Sequence, residues 1–131
     1  MRFAYRHYGT GIETGRVKFT SPLKSIIVLG ASTNPDRYAF MAKQRLQEHG
    51  HKAIPVNPAF TEILGERCYA SISDAPQPID TVTLYLGAAR STPLIQDILK
   101  AKPRRIIFNP GAENEELARA ASSAAIETVK G

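Results

Sequence analysis

At 131 residues with one cysteine, Cys68, the chain has the length of a single domain and no means of forming an internal disulfide. No apolar run reaches the roughly 18 to 20 residues of a membrane span, and the N-terminus lacks an apolar signal-peptide core, so the expected setting is a reducing cytoplasm. The net charge of +5 is uneven: residues 1–24 carry +4 of it through Arg2, Arg6, Arg16, Lys18 and Lys24 against Glu13, and the nearly neutral remainder argues against a broad nucleic-acid surface.

Residues 1–24 interleave Phe3, Tyr5, Arg6 and Tyr8 with Gly9, Gly11 and Gly15, without a helical or strand period. They read as an extension to a domain spanning residues 25–131. Three roles stay open for it: a loosely docked or mobile terminus, a segment packed on a neighbouring subunit, or an arm whose basic and aromatic residues hold phosphates and stack bases. Ser25 to Leu29 is an apolar, β-branched run of the length of a fully buried strand. From Tyr38 to His49 the positions Ala39, Ala42 and Leu46 share one face at helical spacing, with Lys43, Gln44, Gln47 and Glu48 expected on the solvent face. Gly50 suits the left-handed C-cap, and Ile54-Pro55-Val56 closes a second strand before Asn57 and Pro58. Strand, loop, helix, strand makes this stretch a βαβ crossover.

Ala59 to Leu64 is expected to form a short helical turn, and Gly65 to Pro78 a turn-rich link. Thr81 to Leu86 reads as a third core strand ended by Gly87. Thr92 to Lys102 reads as a helix with Leu94, Ile95, Ile98 and Leu99 inward and Pro103 as its stop. A strand at Arg105 to Phe108, the loop Asn109-Pro110-Gly111, a helix from about Asn114 to Ser123 and a last strand at Ile126 to Val129 follow. This alternation predicts an α/β fold: a doubly wound, parallel five-stranded sheet with helices on both faces and right-handed crossovers.

In such sheets ligands bind beyond the carboxyl ends of the strands, where backbone N–H groups at a helix start favour an anion. The first loop, Gly30-Ala31-Ser32-Thr33-Asn34-Pro35-Asp36-Arg37, has one glycine where a dinucleotide fingerprint wants three, with Ser32 and Pro35 at the other two places. The second strand ends in Val56-Asn57-Pro58, without the acid that NAD-binding folds use for ribose hydroxyls. Both departures argue against NAD while leaving a phosphate at the helix start. Arg37 beside the loop offers a forked, permanently charged donor set.

These residues carry a resemblance. Val28-Leu29-Gly30-Ala31-Ser32-x-Asn34-Pro35-x-Arg37, Ile54-Pro55-Val56-Asn57-Pro58, Ile63-Leu64-Gly65-x-x-Cys68-Tyr69-x-Ser71-Ile72-x-Asp74 and Gly111-x-x-Asn114-Glu115-Glu116 together resemble the small stand-alone CoA-binding proteins, whose fold is shared with the CoA-binding domain of succinyl-CoA synthetase α subunits. The likeness runs from about Ser25 to Gly131. It implies a Rossmann-like domain that binds coenzyme A or an acyl-CoA, with the adenine and phosphate part of the ligand over the first loop, the end of strand two and the loop after strand three. The candidate ligand-binding residues are Gly30, Ala31, Ser32, Asn34, Arg37, Tyr38, Asn57, Pro58 and Gly87. Where many members carry an arginine-rich loop after strand three, this chain has Leu86-Gly87-Ala88-Ala89-Arg90, with Arg90 as its one charge. The resemblance also implies a further apolar strand segment after Lys130, so an incomplete sheet edge is expected.

Other constellations read as structural. His49 and His51 flank Gly50 at a helix C-terminus, where they favour the dipole, Cys68 reads as a small semi-buried hydrophobe, and Glu113, Glu115 and Glu116 complement a helix start. No catalytic or metal-ligating constellation stands out. The expected function is a non-catalytic sensor, carrier or partner that binds CoA. The alternatives are a subunit of an acyl-CoA ligase, which needs a partner chain, and an NAD(P)-binding redox protein. A homo-oligomer stays open.

Overall fold

The computed structural model describes residues 24–131; the extension ahead of Lys24 lies outside them, and with it the three roles weighed above. Strand β1 (Ser25–Leu29), helix α1 (Tyr38–Glu48) and strand β2 (Lys52–Val56) form the expected crossover. The strands pair in parallel from Ser25 opposite Lys52 to Leu29 opposite Val56. At the end of α1, Gly50 takes φ 82°. Its N–H donates to the Gln47 carbonyl at 3.0 Å and that of His51 to the Leu46 carbonyl at 3.0 Å, the paired bonds of a Schellman cap. Lys24, placed by sequence in the extension, belongs to the sheet end: its carbonyl accepts from the Lys52 N–H at 3.0 Å and its own N–H donates to His51 Nδ1 at 3.4 Å.

Two expectations about the next segment fail together. The helical turn expected over Ala59 to Leu64 is a hairpin of β3 (Glu62–Ile63) and β4 (Glu66–Arg67). Its two-residue loop has both Leu64 (φ 51°) and Gly65 (φ 77°) in the left-handed region, the signature of the hairpin turn whose twist matches its strands. The hairpin also overturns the solvent position given to Lys43. That side chain is fully buried, its ammonium donating to the Ala53 carbonyl at 2.9 Å and pairing with Glu66. A lysine on the buried side of α1 is tolerated because β4 supplies the carboxylate, and a buried charge needs a partner.

After a 3-10 turn at Ile72–Asp74 comes β5 (Thr81–Leu84), shorter than the strand expected to reach Leu86. The helix expected over Thr92 to Lys102 starts earlier and is broken into α2 (Ala88–Ser91), a 3-10 turn (Thr92–Leu94) and α3 (Ile95–Lys100). Pro93 accounts for the break, since it has no N–H for a helical bond and its ring crowds the preceding turn. Strand β6 (Arg105–Phe108), helix α4 (Glu115–Ser123) and strand β7 (Glu127–Lys130) complete the chain. Asn114 caps α4 by accepting from the Leu117 N–H at 3.1 Å. The edge expected to be incomplete is paired along its length, β7 matching β6 from Glu127 opposite Arg105 to Lys130 opposite Phe108.

The five-stranded sheet has the order β2-β1-β5-β6-β7, parallel throughout. Alternate side chains feed two cores. Ile27, Leu29, Val82, Leu84, Ile106 and Phe108 pack under α3 and α4 with Ile98 and Leu117. Ile26, Val28 and Ala53 pack under α1 and the hairpin with Leu46, Ile63 and Cys68. Burial of each such isoleucine or leucine contributes roughly 1.5 to 3 kcal/mol, which is why near-continuous apolar runs mark these strands. The result is the expected Rossmann-like α/β fold.

Candidate functional site

In the order β2-β1-β5 the chain leaves β1 toward one side and returns to β5 on the other, and such a reversal opens a crevice at the carboxyl ends of the strands. A cavity of about 290 Å³ lies there. Its floor is Leu29, Gly30 and Val56, with Asn57 and Pro58 on one side and Leu86 on another. The remaining wall comes from Ala70, Ser71 and Ile72 and from the α2–α3 region through Arg90, Leu94 and Asp97.

Gly30 is required twice over. Its φ is +92°, and an added Cβ would stand 2.9 Å from Leu86 Cδ2. Asn57 ties the first loop to the second. Its Nδ2 donates to the Ala31 carbonyl at 2.8 Å and its Oδ1 accepts from the Ala59 N–H at 2.9 Å. Tyr69 continues the edge of the sheet beside β2, its N–H donating to the Pro55 carbonyl at 3.0 Å and its carbonyl accepting from the Asn57 N–H at 2.9 Å. Those bonds carry Ala70 to Ile72 to the cavity wall.

The nine candidate residues separate into three groups. Gly30, Asn57 and Pro58 line the cavity. Ala31, Ser32, Asn34, Arg37 and Tyr38 follow the loop from β1 to the start of α1: Ala31 is buried, Ser32 half-buried, and Asn34, Arg37 and Tyr38 are exposed. Gly87 lies outside the cavity lining and precedes α2, where an added Cβ would be 3.8 Å from the Gly111 carbonyl oxygen. The side chains of Arg37 and Tyr38 make no hydrogen bond or ion pair among the described residues.

Backbone donors narrow the anion position. The N–H groups of Gly30 and Ala31 both point to the Val56 carbonyl, at 3.0 and 3.4 Å. That of Asn34 is used by Ser32 Oγ at 3.0 Å and that of Asp36 by Asn34 Oδ1 at 2.9 Å. Among the described residues, the N–H groups of Ser32 and Thr33 have no such partner, and those of Tyr38 and Ala39 open α1 with no capping side chain from Arg37. Unsatisfied donors at a helix start, with the positive end of its dipole, suit a phosphate.

Sequence reasoning missed the wall from Ala70 to Ile72 and the contribution of Leu86, Leu94 and Asp97. Only Arg90 among the α2–α3 residues was singled out for charge, and it does line the cavity. Arg90 and Asp97 make no side-chain hydrogen bond or ion pair among the described residues. Cys68 is buried beneath the site, its thiol donating to the Asn57 carbonyl at 3.5 Å. Burial pushes that thiol above its ordinary pKa, against the opposing pull of the Asn57 backbone and the Lys43 charge, so it is not an activated nucleophile. Burial likewise drives the Tyr85 phenol upward despite a hydrogen bond with Thr83. His51 is buried, and His49 Nδ1 stands 3.1 Å from the Arg45 carbonyl oxygen. Glu115 and Glu116 occupy the first turn of α4, whereas Glu113 accepts from the Gly111 N–H at 3.0 Å.

A family model described as a CoA binding domain matches residues 24–131. The chain belongs to this family. The CoA binding domain is 31% identical over 93 residues to an uncharacterised protein, YneT, of Bacillus subtilis, spanning 71% of this chain and 69% of that one. It is 31% identical over 70 residues to an ADP-forming acetate–CoA ligase of Methanocaldococcus jannaschii, covering 53% of this chain but 10% of the ligase. Among solved structures, a hypothetical protein from Pyrococcus horikoshii superposes with a TM-score of 0.80 at 30% identity, over 87% of this chain and 80% of that one. A dinucleotide-forming acetyl-coenzyme A synthetase of Ca. Korarchaeum cryptofilum, in complex with phosphate and ADP, superposes with a TM-score of 0.67 at 26% identity, over 80% of this chain and 25% of that one. Among the described residues no helix is long and apolar enough to cross a membrane.

Proposed function

We propose that the domain binds coenzyme A or an acyl-CoA at the carboxyl ends of β1, β2 and β5, acting as a sensor, carrier or partner rather than by catalysis of its own. The observation that carries the reading is the adjacency of two unlike surfaces. A largely apolar cavity of about 290 Å³ shares Gly30 with a loop whose Ser32, Thr33, Tyr38 and Ala39 N–H groups have no acceptor among the described residues. An elongated ligand with phosphates at one place and an uncharged ring or chain at another matches that pairing. Arg37 supplies the neutralising charge on the loop side, and Arg90 on the cavity side.

NAD fits less well. Asn57 stands where a carboxylate for ribose hydroxyls is wanted, and both ends of its amide are already used within the protein. A second reading, a CoA-binding subunit of an acyl-CoA ligase, is supported by the alignment with the acetate–CoA ligase, of which this part is 10%.

Thermal shift with CoA, acetyl-CoA, NAD and NADP side by side tests the reading. A ligand at 100 times its Kd adds about 2.7 kcal/mol of stability, so CoA or acetyl-CoA raises the melting temperature and the nicotinamide cofactors leave it in place. A larger shift with NAD than with CoA would sink the proposal. Copurification of a ligase chain with the tagged protein favours the subunit reading over the stand-alone one.

A further inference from the structure

We propose that residues 1–23 are the layer that covers β5, β6 and β7 on the face opposite α3 and α4. What carries the assignment is a set of buried side chains on that face for which the described elements supply no cover.

Strand register lays the face out in rows. Thr81, Arg105 and Glu127 stand abreast of Ile26, and Thr83, Ile107 and Val129 stand abreast of Val28. Thr81, Thr83 and Ile107 are 0% exposed and Arg105 is 5% exposed. Pairing with neighbouring strands satisfies a strand's backbone, but its side chains stand roughly perpendicular to the sheet, so their tips are closed off only by a second layer. Over β1 and β2 that layer is α1, which packs on those two strands, with the hairpin joined to it through Lys43 and Glu66. Helices α3 and α4 lie on the other face, where Ile98 and Leu117 meet Val82 and Ile106. Among the described residues no helix or hairpin packs broadly on β5, β6 or β7 from the α1 side.

The remaining chain ends where such a layer has to begin. Lys24 is fixed at the amino ends of the strands by its carbonyl bond from Lys52, and its Nζ stands 3.9 Å from Asp80 ahead of β5. With strands about 4.8 Å apart, β7 lies three intervals, or roughly 15 Å, from β1. Phe19 and Val17 come five and seven residues before Lys24, a reach of roughly 17 to 23 Å when extended. They are therefore able to set apolar side chains over Ile107 and Val129. Arg16 and Lys18 flank them, and Glu127, whose side chain is 52% exposed at the rim of the face, offers a carboxylate to either. Because Thr83 and Ile107 are closed off within one chain, the chain's own residues account for the cover better than a second copy does.

Nuclear Overhauser contacts from the methyl groups of Ile107 and Val129, measured on the full chain, test the layer. Contacts to side-chain protons of residues 1–23 are expected, with Phe19 and Val17 foremost, and they arise within one chain when labelled and unlabelled protein are mixed. Contacts confined to residues 24–131 would overturn the proposal. So would contacts to residues 1–23 that arise only between a labelled and an unlabelled chain, which would give the face to a second copy. As a second measurement, Phe19→Asp in the full chain puts a charge into the layer and is expected to lower the melting temperature by several degrees. A melting curve that coincides with that of the parent would make the segment a solvated tail and overturn the assignment.

Discussion

The two ends of the parallel sheet treat their charges in opposite ways. At the amino ends of the strands, Arg104 Nε donates to Asp80 Oδ1 at 3.1 Å, Arg105 Nε to Glu127 Oε1 at 3.1 Å, and Lys24 Nζ stands 3.9 Å from Asp80. Thr81 Oγ1 adds a hydrogen bond to Asp80 Oδ2 at 2.7 Å. At the carboxyl ends, Arg37, Arg90 and Asp97 have no such partner among the described residues. The contrast teaches that charge content alone says little about function in this chain. At one end the charges complete the protein's own hydrogen bonding; at the other, Arg90 and Asp97 line the cavity and Arg37 stands exposed ahead of α1, without such bonds among the described residues. Between the ends, the pair of Lys43 and Glu66 joins the hairpin to α1, and is the case where a charge is wholly enclosed.

The comparison is most sharply tested at that enclosed pair. Glu66→Ala leaves the buried Lys43 ammonium with only the Ala53 carbonyl, and is expected to cost about 3 to 5 kcal/mol. Lys43→Met, which leaves a Glu66 that is 40% exposed, should be near neutral by comparison. Urea midpoints of the two variants measure the asymmetry; equal losses would mean that the pair acts through packing rather than charge.

Arg37→Ala should act on ligand rather than fold. CoA affinity falls about tenfold to a hundredfold, the range of a charge-assisted contact of roughly 1.5 to 3 kcal/mol, with an unchanged melting curve in its absence. Lysine at this position recovers only part, since it keeps the charge and loses the fork. Unaltered affinity in the alanine variant would leave the phosphate to the backbone donors alone.

Gly30→Ala joins the two properties that the comparison separates. Its Cβ meets Leu86 at a φ of +92°, and such strain costs of order 1 to 3 kcal/mol. Both stability and CoA affinity should drop, since Leu86 is a cavity wall. A stable variant with normal affinity would show that the loop can open without consequence.

The smallest effect is expected at Asp80. Burial works to raise its pKa, but hydrogen bonds from Thr81 and Arg104 and the charges of Lys24 and Arg104 outweigh it, so the carboxyl is held below its ordinary value. The folded chain therefore keeps Asp80 ionised to lower pH than the unfolded chain does. Its stabilisation is fully present above the ordinary aspartate range and is lost as pH falls through the folded value. Asp80→Asn should cost roughly 1 kcal/mol at neutral pH, and the gap to the parent should close on acidification while CoA binding at neutral pH stays the same. A gap that persists in acid, or weakened binding, would blur the distinction between the two ends.

What the sequence by itself determined is the five strands of the parallel sheet, the helices that follow β1 and β6, and the family. These follow from local signals: β-branched runs at Ser25–Leu29 and Arg105–Phe108 buried on both faces, a glycine past α1 with φ 82°, Asn114 at a helix start. The loop Gly30 to Arg37 was legible for the same reason, because its glycine and its position between strand and helix are properties of a short stretch. Tertiary structure alone decided the rest. Lys43 is polar in any local pattern, and only the arrival of Glu66 from 23 residues later makes its burial possible. Leu64 is a leucine in a left-handed turn because the hairpin packs over α1, a conformation no propensity would assign. Ile72, Leu86 and Asp97 lie in a 3-10 turn, the loop after β5 and α3, three segments that meet where the chain reverses its direction across β1. A cavity is made of residues distant along the chain, whereas periodicity and caps report on neighbours within a few residues, so the fold was readable from the sequence and most of the cavity's lining was not.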